Sequence, residues 1–204
     1  MLLHAATSNP GKLAEFRSAA LAEGVAIAAL PNLKQIPEPV EDAPTFQGNA
    51  DLKAIAYSLT APNLLVFADD SGLKVTALHN QPGVRSARFA DDHNFYPAAG
   101  LSTDERNNAL LIHRMQHATS RAARFVCNLA LARNGEVLLR ASGIVEGQLL
   151  DAPRGIDGFG YDPLFLLPAL DLTFAEIPRQ QKWQLSHRGH AFRQLLTKLA
   201  SINL

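Results

Sequence analysis

The feature that most constrains this chain is the run Leu64-Leu65-Val66-Phe67-Ala68, which breaks abruptly into Asp69-Asp70-Ser71-Gly72. Five consecutive apolar residues without alternation predict a fully buried strand. Such a strand delivers two carboxylates at its carboxyl end, where open α/β sheets bind ligands. Adjacent carboxylates there are costly, because like charges and desolvation both raise a carboxyl pKa. A hard cation relieves that cost, and Mg²⁺ is typically held by one or two carboxylates together with substrate phosphates. Taken alone, the motif reads as an exposed Asp-Asp-Ser-Gly turn, and it is the preceding apolar run that shifts the balance towards function.

The rest of the chain supplies the partners such a strand needs. Leu2 to Ala6 is a short apolar run ended by Thr7-Ser8-Asn9-Pro10-Gly11-Lys12, and Leu13, Phe16, Ala20 and Leu21 then recur near helical spacing up to Glu23. The unit is strand, polar loop, helix, with Ser8 or Asn9 as N-cap and Pro10 in the first turn. Residues 31–44 hold four prolines and several acids, Glu38 and Glu41 among them, and are loop or edge structure. Thr45 caps a second helix reaching towards Leu59, on which Asn49 and Lys53 lie one turn apart and share a face. Gln81-Pro82-Gly83 is a turn, and residues 88–100 are irregular. Ser102-x-x-Glu105 is a capping box opening a helix through Ala109, Leu110, Ile112 and Met115. Ala123–Ala132 and Glu136–Gly147 are strands joined at Asn134-Gly135, a hairpin signal. Phe192, Leu195, Leu196 and Leu199 mark an amphipathic C-terminal helix. The expected class is an α/β or α+β sheet core, with two lobes around a cleft.

Composition removes several functional classes. The 204 residues carry 19 Lys+Arg against 19 Asp+Glu and one cysteine, Cys127. Zero formal charge argues against a strongly cationic nucleic-acid binder, although it leaves room for a local basic site. One cysteine excludes an internal disulfide and a Cys-based zinc cluster. The N-terminus reaches Pro10-Gly11 without a basic leader, and no apolar run approaches the ~20 residues of a membrane span. A cytoplasmic protein with no membrane or nucleic-acid partner is the expectation.

Two further segments carry chemistry. Thr7 to Lys12, between a strand and a helix N-terminus, suits an anion such as phosphate, although its spacing is not that of a Walker A loop. Gly155-Ile156-Asp157-Gly158-Phe159-Gly160-Tyr161-Asp162 lets the backbone approach a flat ligand while an aromatic ring stacks on it. Lys182 and Ser186-His187-Arg188 add cations and donors before the last helix. Each of these segments also has an ordinary structural reading as a capped connection, a tight loop or a helix cap with a surface arginine.

In order along the chain, the motifs are far more specific than any one of them. Thr7 to Lys12, Thr45-Phe46-x-x-Asn49-Ala50-x-x-Lys53-Ala54, Ala68-Asp69-Asp70-Ser71-Gly72-Leu73 and Pro82-Gly83-Val84-x-Ser86-Ala87-Arg88-Phe89 come first. Arg124-Phe125-x-Cys127, Gly158-Phe159-Gly160-Tyr161-Asp162-Pro163, Thr173-Phe174-x-Glu176 and Ser186-His187-Arg188-x-x-Ala191 follow. From about residue 5 to the final helix, the chain resembles the Ham1/inosine triphosphatase family of pyrophosphatases acting on non-standard purine nucleoside triphosphates.

The resemblance implies one Ham1/ITPase-like (anticodon-like) domain over residues 1–204. The implied fold is α/β, an elongated mixed central sheet with helices and two lobes around a nucleotide-binding cleft, in a homodimer. The implied reaction cleaves ITP, dITP or XTP between the α- and β-phosphates with Mg²⁺, giving monophosphate and pyrophosphate. Asp70 would accept the proton of the attacking water and contact Mg²⁺, with Asp69 in support and Glu41, or its neighbour Glu38, as second metal carboxylate. Thr7, Ser8, Asn9, Pro10, Gly11 and Lys12 would cradle the triphosphate with Lys53, and Ser71 would touch the substrate. Phe159 would stack on the base, with Gly160, Tyr161, Asp162, Lys182, His187 and Arg188 around base and phosphates. Two departures stand out: His79-Asn80 replaces a family Gly-Gly pair, so that turn's backbone is expected to differ, and Asp157 replaces a glycine. Two rivals remain, an aspartyl phosphatase releasing inorganic phosphate and a catalytically weak nucleotide-binding module.

Overall fold

The computed structural model describes residues 1–201 and has the element order β1 (Leu2–Ala5), α1 (Pro10–Ala22), β2 (Ala26–Ala29), α2 (Phe46–Leu59), β3 (Val66–Val75), α3 (Phe89–Asp92), α4 (Thr103–Met115), β4 (Ala122–Arg133), β5 (Glu136–Leu149), β6 (Phe165–Leu167), β7 (Leu172–Thr173), α5 (Arg179–Leu185) and α6 (His187–Ala200). The strands form one mixed sheet in the order β2-β1-β3-β4-β5-β6-β7. β1 pairs in parallel with β2 and β3, while β5-β6 and β6-β7 are antiparallel. The mixed α/β class is the expected one. Among the described residues no helix is long and apolar enough to cross a membrane.

The chain divides into two compact units. The first comprises Met1–Ser71, Cys127–Ile144 and the chain from Arg179 onward; the second comprises Gly72–Val126 and Val145–Pro178.

In the first unit the sheet is buried on both faces, as the apolar run demands. Leu3, Ala5, Phe67, Cys127, Leu129 and Leu131 pack against Phe16 and Ala20 of α1 and Phe192 and Leu195 of α6. The alternate residues Ala6, Val66, Ala68, Ala130 and Ala132 pack against Ala50, Ala54 and Tyr57 of α2. Phe16, Phe67 and Phe192 meet with ring centroids 5.1 to 5.6 Å apart. Each such buried side chain contributes roughly 1.5–3 kcal/mol. Leu21, counted by spacing on the apolar face of α1, is instead 83% exposed. The N-caps are Asn9 and Thr45, whose side chains accept from Lys12 N and Gly48 N. Asn134 and Gly135 both have positive φ, +53° and +83°, the conformation a tight two-residue hairpin requires.

In the second unit Phe125, Phe165 and Phe174 form the aromatic core. Both halves of the Ser102–Glu105 capping box are present.

The structure corrects the sequence expectation at several elements. β3 does not end at Asp69 but continues through Asp69-Asp70-Ser71-Gly72 to Val75. Composition makes that tetrapeptide look like a turn, whereas strand pairing overrides local preference. The short strands β2, β6 and β7 and helices α3 and α5 carry too few residues to show a period, and were not anticipated. His79 and Asn80 adopt φ of +53° and +65°, so they keep the left-handed backbone that a Gly-Gly pair would allow. His and Asn tolerate that region better than most residues.

Candidate active site

Because β3 runs through them, Asp69 and Asp70 point to opposite faces of the sheet. Asp69 follows Phe67 onto the α1 and α6 side, and Asp70 follows Ala68 onto the α2 side. This separation lets two adjacent buried carboxylates have different partners.

On the α2 side, Asn49 Nδ2 donates to Asp70 Oδ2 at 3.0 Å and the Ser71 N–H donates to Oδ1 at 3.1 Å. The Lys53 ammonium lies 3.0 Å from Glu41 Oε2 and 3.7 Å from Asp70 Oδ1, so one cation touches both carboxylates. Asn49, one turn before Lys53 and 1% exposed, also accepts from Ala43 N at 2.9 Å, which ties the Glu41 loop to the same face of α2. Burial raises the Asp70 carboxyl above the value of a free aspartate; Lys53 and Asn49 pull it down, and Glu41 and Asp69 push it up. Burial works against the Lys53 ammonium, but Asp69, Asp70 and Glu41 outweigh it and raise its pKa. Glu41, not Glu38, carries the contact to Lys53; Glu38 is exposed.

On the other face, Lys12 Nζ sits 2.8 Å from Asp69 Oδ2. Burial opposes the Asp69 charge, yet Lys12, Lys53 and Arg188 prevail and hold its pKa at about 2. Ser71 Oγ donates to the same Asp69 Oδ2 at 3.0 Å and accepts from Arg188 Nη2 at 3.1 Å. Arg188 is buried rather than a surface residue, and its other nitrogen reaches Glu15 at 3.2 Å. Glu15 also pairs with Lys182 at 3.1 Å. Burial first, then Arg188, Lys182 and Lys12, press His187 well below its ordinary pKa, leaving a neutral imidazole at neutral pH. Glu15 escaped the sequence reading; its one signal was its place three residues after Lys12 on α1.

The loop ahead of α1 spends part of its polarity on itself. Asn9 N–H donates to Thr7 Oγ1 at 3.3 Å and Asn9 Oδ1 accepts from Lys12 N at 3.1 Å. Ser8 and Pro10 are exposed, and Gly11 is partly so.

The second unit holds the other predicted residues. Phe159 is half-buried at a turn whose glycines, Gly158 and Gly160, have φ of +82° and +62°. Asp162 is buried and accepts the Phe159 N–H at 2.8 Å. Tyr161 is also buried and donates its hydroxyl to Ser86 O at 2.8 Å, so its ring and hydroxyl belong to the packing of this unit. Asp157 is exposed. Cys127 is buried in β4 and its thiol pKa is driven up by burial, which excludes a reactive thiolate.

The donor set suits a hard cation. Among the described residues no group of three or more His, Cys, Asp or Glu forms a metal cage. Glu41 and Asp70 are two neighbouring carboxylates, both in contact with Lys53, that could serve as ligands of a hard divalent cation taking its remaining ligands from water and phosphate.

Comparisons with known proteins show what the chain is similar to along its length. The model of the Ham1 family matches residues 3–198. The dITP/XTP pyrophosphatase of Acidobacterium capsulatum is 52% identical over 199 residues, 98% of each chain. The solved HAM1 protein of Coxiella burnetii superposes with a TM-score of 0.83 at 32% identity, covering 99% of this chain and 100% of that one. The Ham1 protein of Staphylococcus aureus gives 0.81 at 35% identity, covering 98% and 99%.

Proposed function

The chain belongs to the Ham1 family, and from that premise we propose that it clears non-standard purine nucleoside triphosphates (dITP, XTP and ITP) by hydrolysing them to monophosphate and pyrophosphate. It is a nucleoside triphosphate pyrophosphatase, a hydrolase of nucleotide metabolism. The observation that carries the mechanism is the Lys53 ammonium between Glu41 and Asp70, at 3.0 and 3.7 Å. Phosphoryl transfer asks a protein for charge neutralisation and a positioned water rather than covalent chemistry.

Asp70 takes the proton from the attacking water. The Asn49 and Ser71 hydrogen bonds fix its orientation. Lys53 and Lys12 supply positive charge to the phosphates, with Thr7 to Gly11 lining the approach to the α1 N-terminus. Glu41 and Asp70 are the residues that would hold Mg²⁺, which when bound neutralises the phosphates and stabilises the leaving pyrophosphate. Asp69 does not join them: its charge is taken up by Lys12, and through Ser71 it orients Arg188.

The family resemblance supports a role for Phe159 in stacking on the base and, separately, for Lys182, neutral His187 and Arg188 as donors to the purine carbonyl and phosphates. Adenine carries an amino group at position 6, so donors placed for a carbonyl go unpaired against it, a difference that discriminates by ~10⁴ or more. Residues 1–204 serve as one functional domain, and the enzyme acts as a cytoplasmic homodimer; the family resemblance supports both statements.

Assaying ITP, XTP, dITP, GTP and ATP with Mg²⁺, for phosphate and pyrophosphate separately, tests this function. Pyrophosphate from the first three, with ATP poor, is expected. Inorganic phosphate as first product would point to an aspartyl phosphatase, and binding without turnover to a nucleotide-binding module.

A further inference from the structure

The turn that carries Phe159 is gripped by α4. Asp104 and Asn108 stand four residues apart, so they share a face of that helix. Asp104 Oδ2 accepts the Gly160 N–H at 2.7 Å, and Asn108 Nδ2 donates to the Gly160 carbonyl at 2.9 Å. Both polar groups of the residue after Phe159 are thereby held. The Phe159 N–H is fixed as well, by Asp162 at 2.8 Å. The neighbouring Asn107 faces a different segment, accepting from Ala90 N and donating to Ser86 O and Ala87 O. Since Tyr161 also donates to Ser86 O, the turn is braced on two sides within the second unit.

Left to itself, this turn has no reason to hold one shape. Glycines at positive φ flank the aromatic residue, and glycine is the residue with most backbone freedom to lose. A ring that stacks on a base must present its face at a fixed angle, and disorder removed before binding does not weaken binding. We propose that Asp104 and Asn108 are positioning residues that hold the Phe159 ring as a preformed platform for the purine, and so set KM and base selectivity without touching substrate. The inference rests on the assignment of Phe159 to the base.

Steady-state kinetics with ITP and Mg²⁺ on Asp104→Ala, Asp104→Asn, Phe159→Ala and the Asp104→Ala/Phe159→Ala double variant test it. Asp104→Ala should raise KM about fivefold with kcat within about twofold, the pattern of lost binding rather than lost chemistry. Asp104→Asn keeps an acceptor oxygen and should recover most of that loss. In the Phe159→Ala background, Asp104→Ala should add less than about twofold, because its effect passes through the ring. In the free protein, amide exchange over residues 155–163 should speed up in Asp104→Ala while the thermal midpoint stays put. Should Asp104→Ala fail to fold, Asn108→Ala takes its place in every arm. Independent, multiplying effects of the two substitutions, or unchanged exchange in the turn, would overturn the positioning role while leaving the pyrophosphatase intact. An unchanged KM in Phe159→Ala would remove the stacking assignment and this inference together.

Discussion

At the scale of single residues, burial and partner charge divide Asp69 from Asp70, neighbours in sequence that do opposite things. Asp69 sits at about 2, below the 3.8 of a free aspartate, so its ionised form is favoured by folding. A depressed carboxyl contributes stability that is complete above its unfolded value and is lost as pH falls towards its folded one. In metal-free protein, denaturant unfolding between about pH 4 and pH 2 should lose stability faster in the wild type than in Asp69→Asn. Equal slopes would show that Lys12, Lys53 and Arg188 do not hold that charge. Asp70 shifts the other way. In metal-free protein the Asp70 carboxyl should therefore titrate above a free aspartate, as a side-chain NMR titration can measure. Lys53→Met should lower kcat/KM by roughly 10²-fold or more, since it removes the charge between Glu41 and Asp70. The identities of Lys12, Lys53 and Asp70 were legible in the sequence because each sits in a motif. That the two aspartates face opposite ways was not, because it depends on β3 continuing past them.

At the scale of elements, close approach between β5 and α6 decides where the Ser186-His187-Arg188 segment begins. A Cβ on Gly143 would stand 2.1 Å from the His187 carbonyl and 2.4 Å from the Ala191 nitrogen, both backbone atoms with little freedom to yield. Gly143→Ala should therefore destabilise the protein by more than about 2 kcal/mol, measured by denaturant unfolding. A cost near zero would mean that β5 and α6 are not so closely packed. Helices α1, α2, α4 and α6 and the β4–β5 hairpin were legible, because caps, apolar spacing and Asn134-Gly135 all agree on them. β2, with the sequence Ala26-Ile27-Ala28-Ala29, carries one β-branched residue and no alternation, and only its pairing with β1 makes it a strand. β7 has two residues, too few for any period to appear.

At the scale of the whole chain, the order of motifs carried the family and the activity, while long-range pairing stayed hidden. Arg188 meets Glu15 across 173 positions, and nothing local in either segment announces the other. Zero net charge argued against a strongly cationic nucleic-acid binder and left room for a local basic site; Lys12, Lys53, Lys182 and Arg188 are each paired with a buried or half-buried carboxylate. Removing divalent metal with EDTA should abolish hydrolysis, and adding Mg²⁺ back should raise the thermal midpoint of the wild type more than that of Glu41→Gln. Equal midpoint gains would take Glu41 out of the metal site. The most direct measurement on the account as a whole is made on Asp70→Asn, which keeps the shape of the side chain and removes its capacity to accept a proton. Pyrophosphate release from ITP should fall by at least ~10²-fold while ITP still binds in equilibrium titration. Undiminished release from that variant would contradict the account.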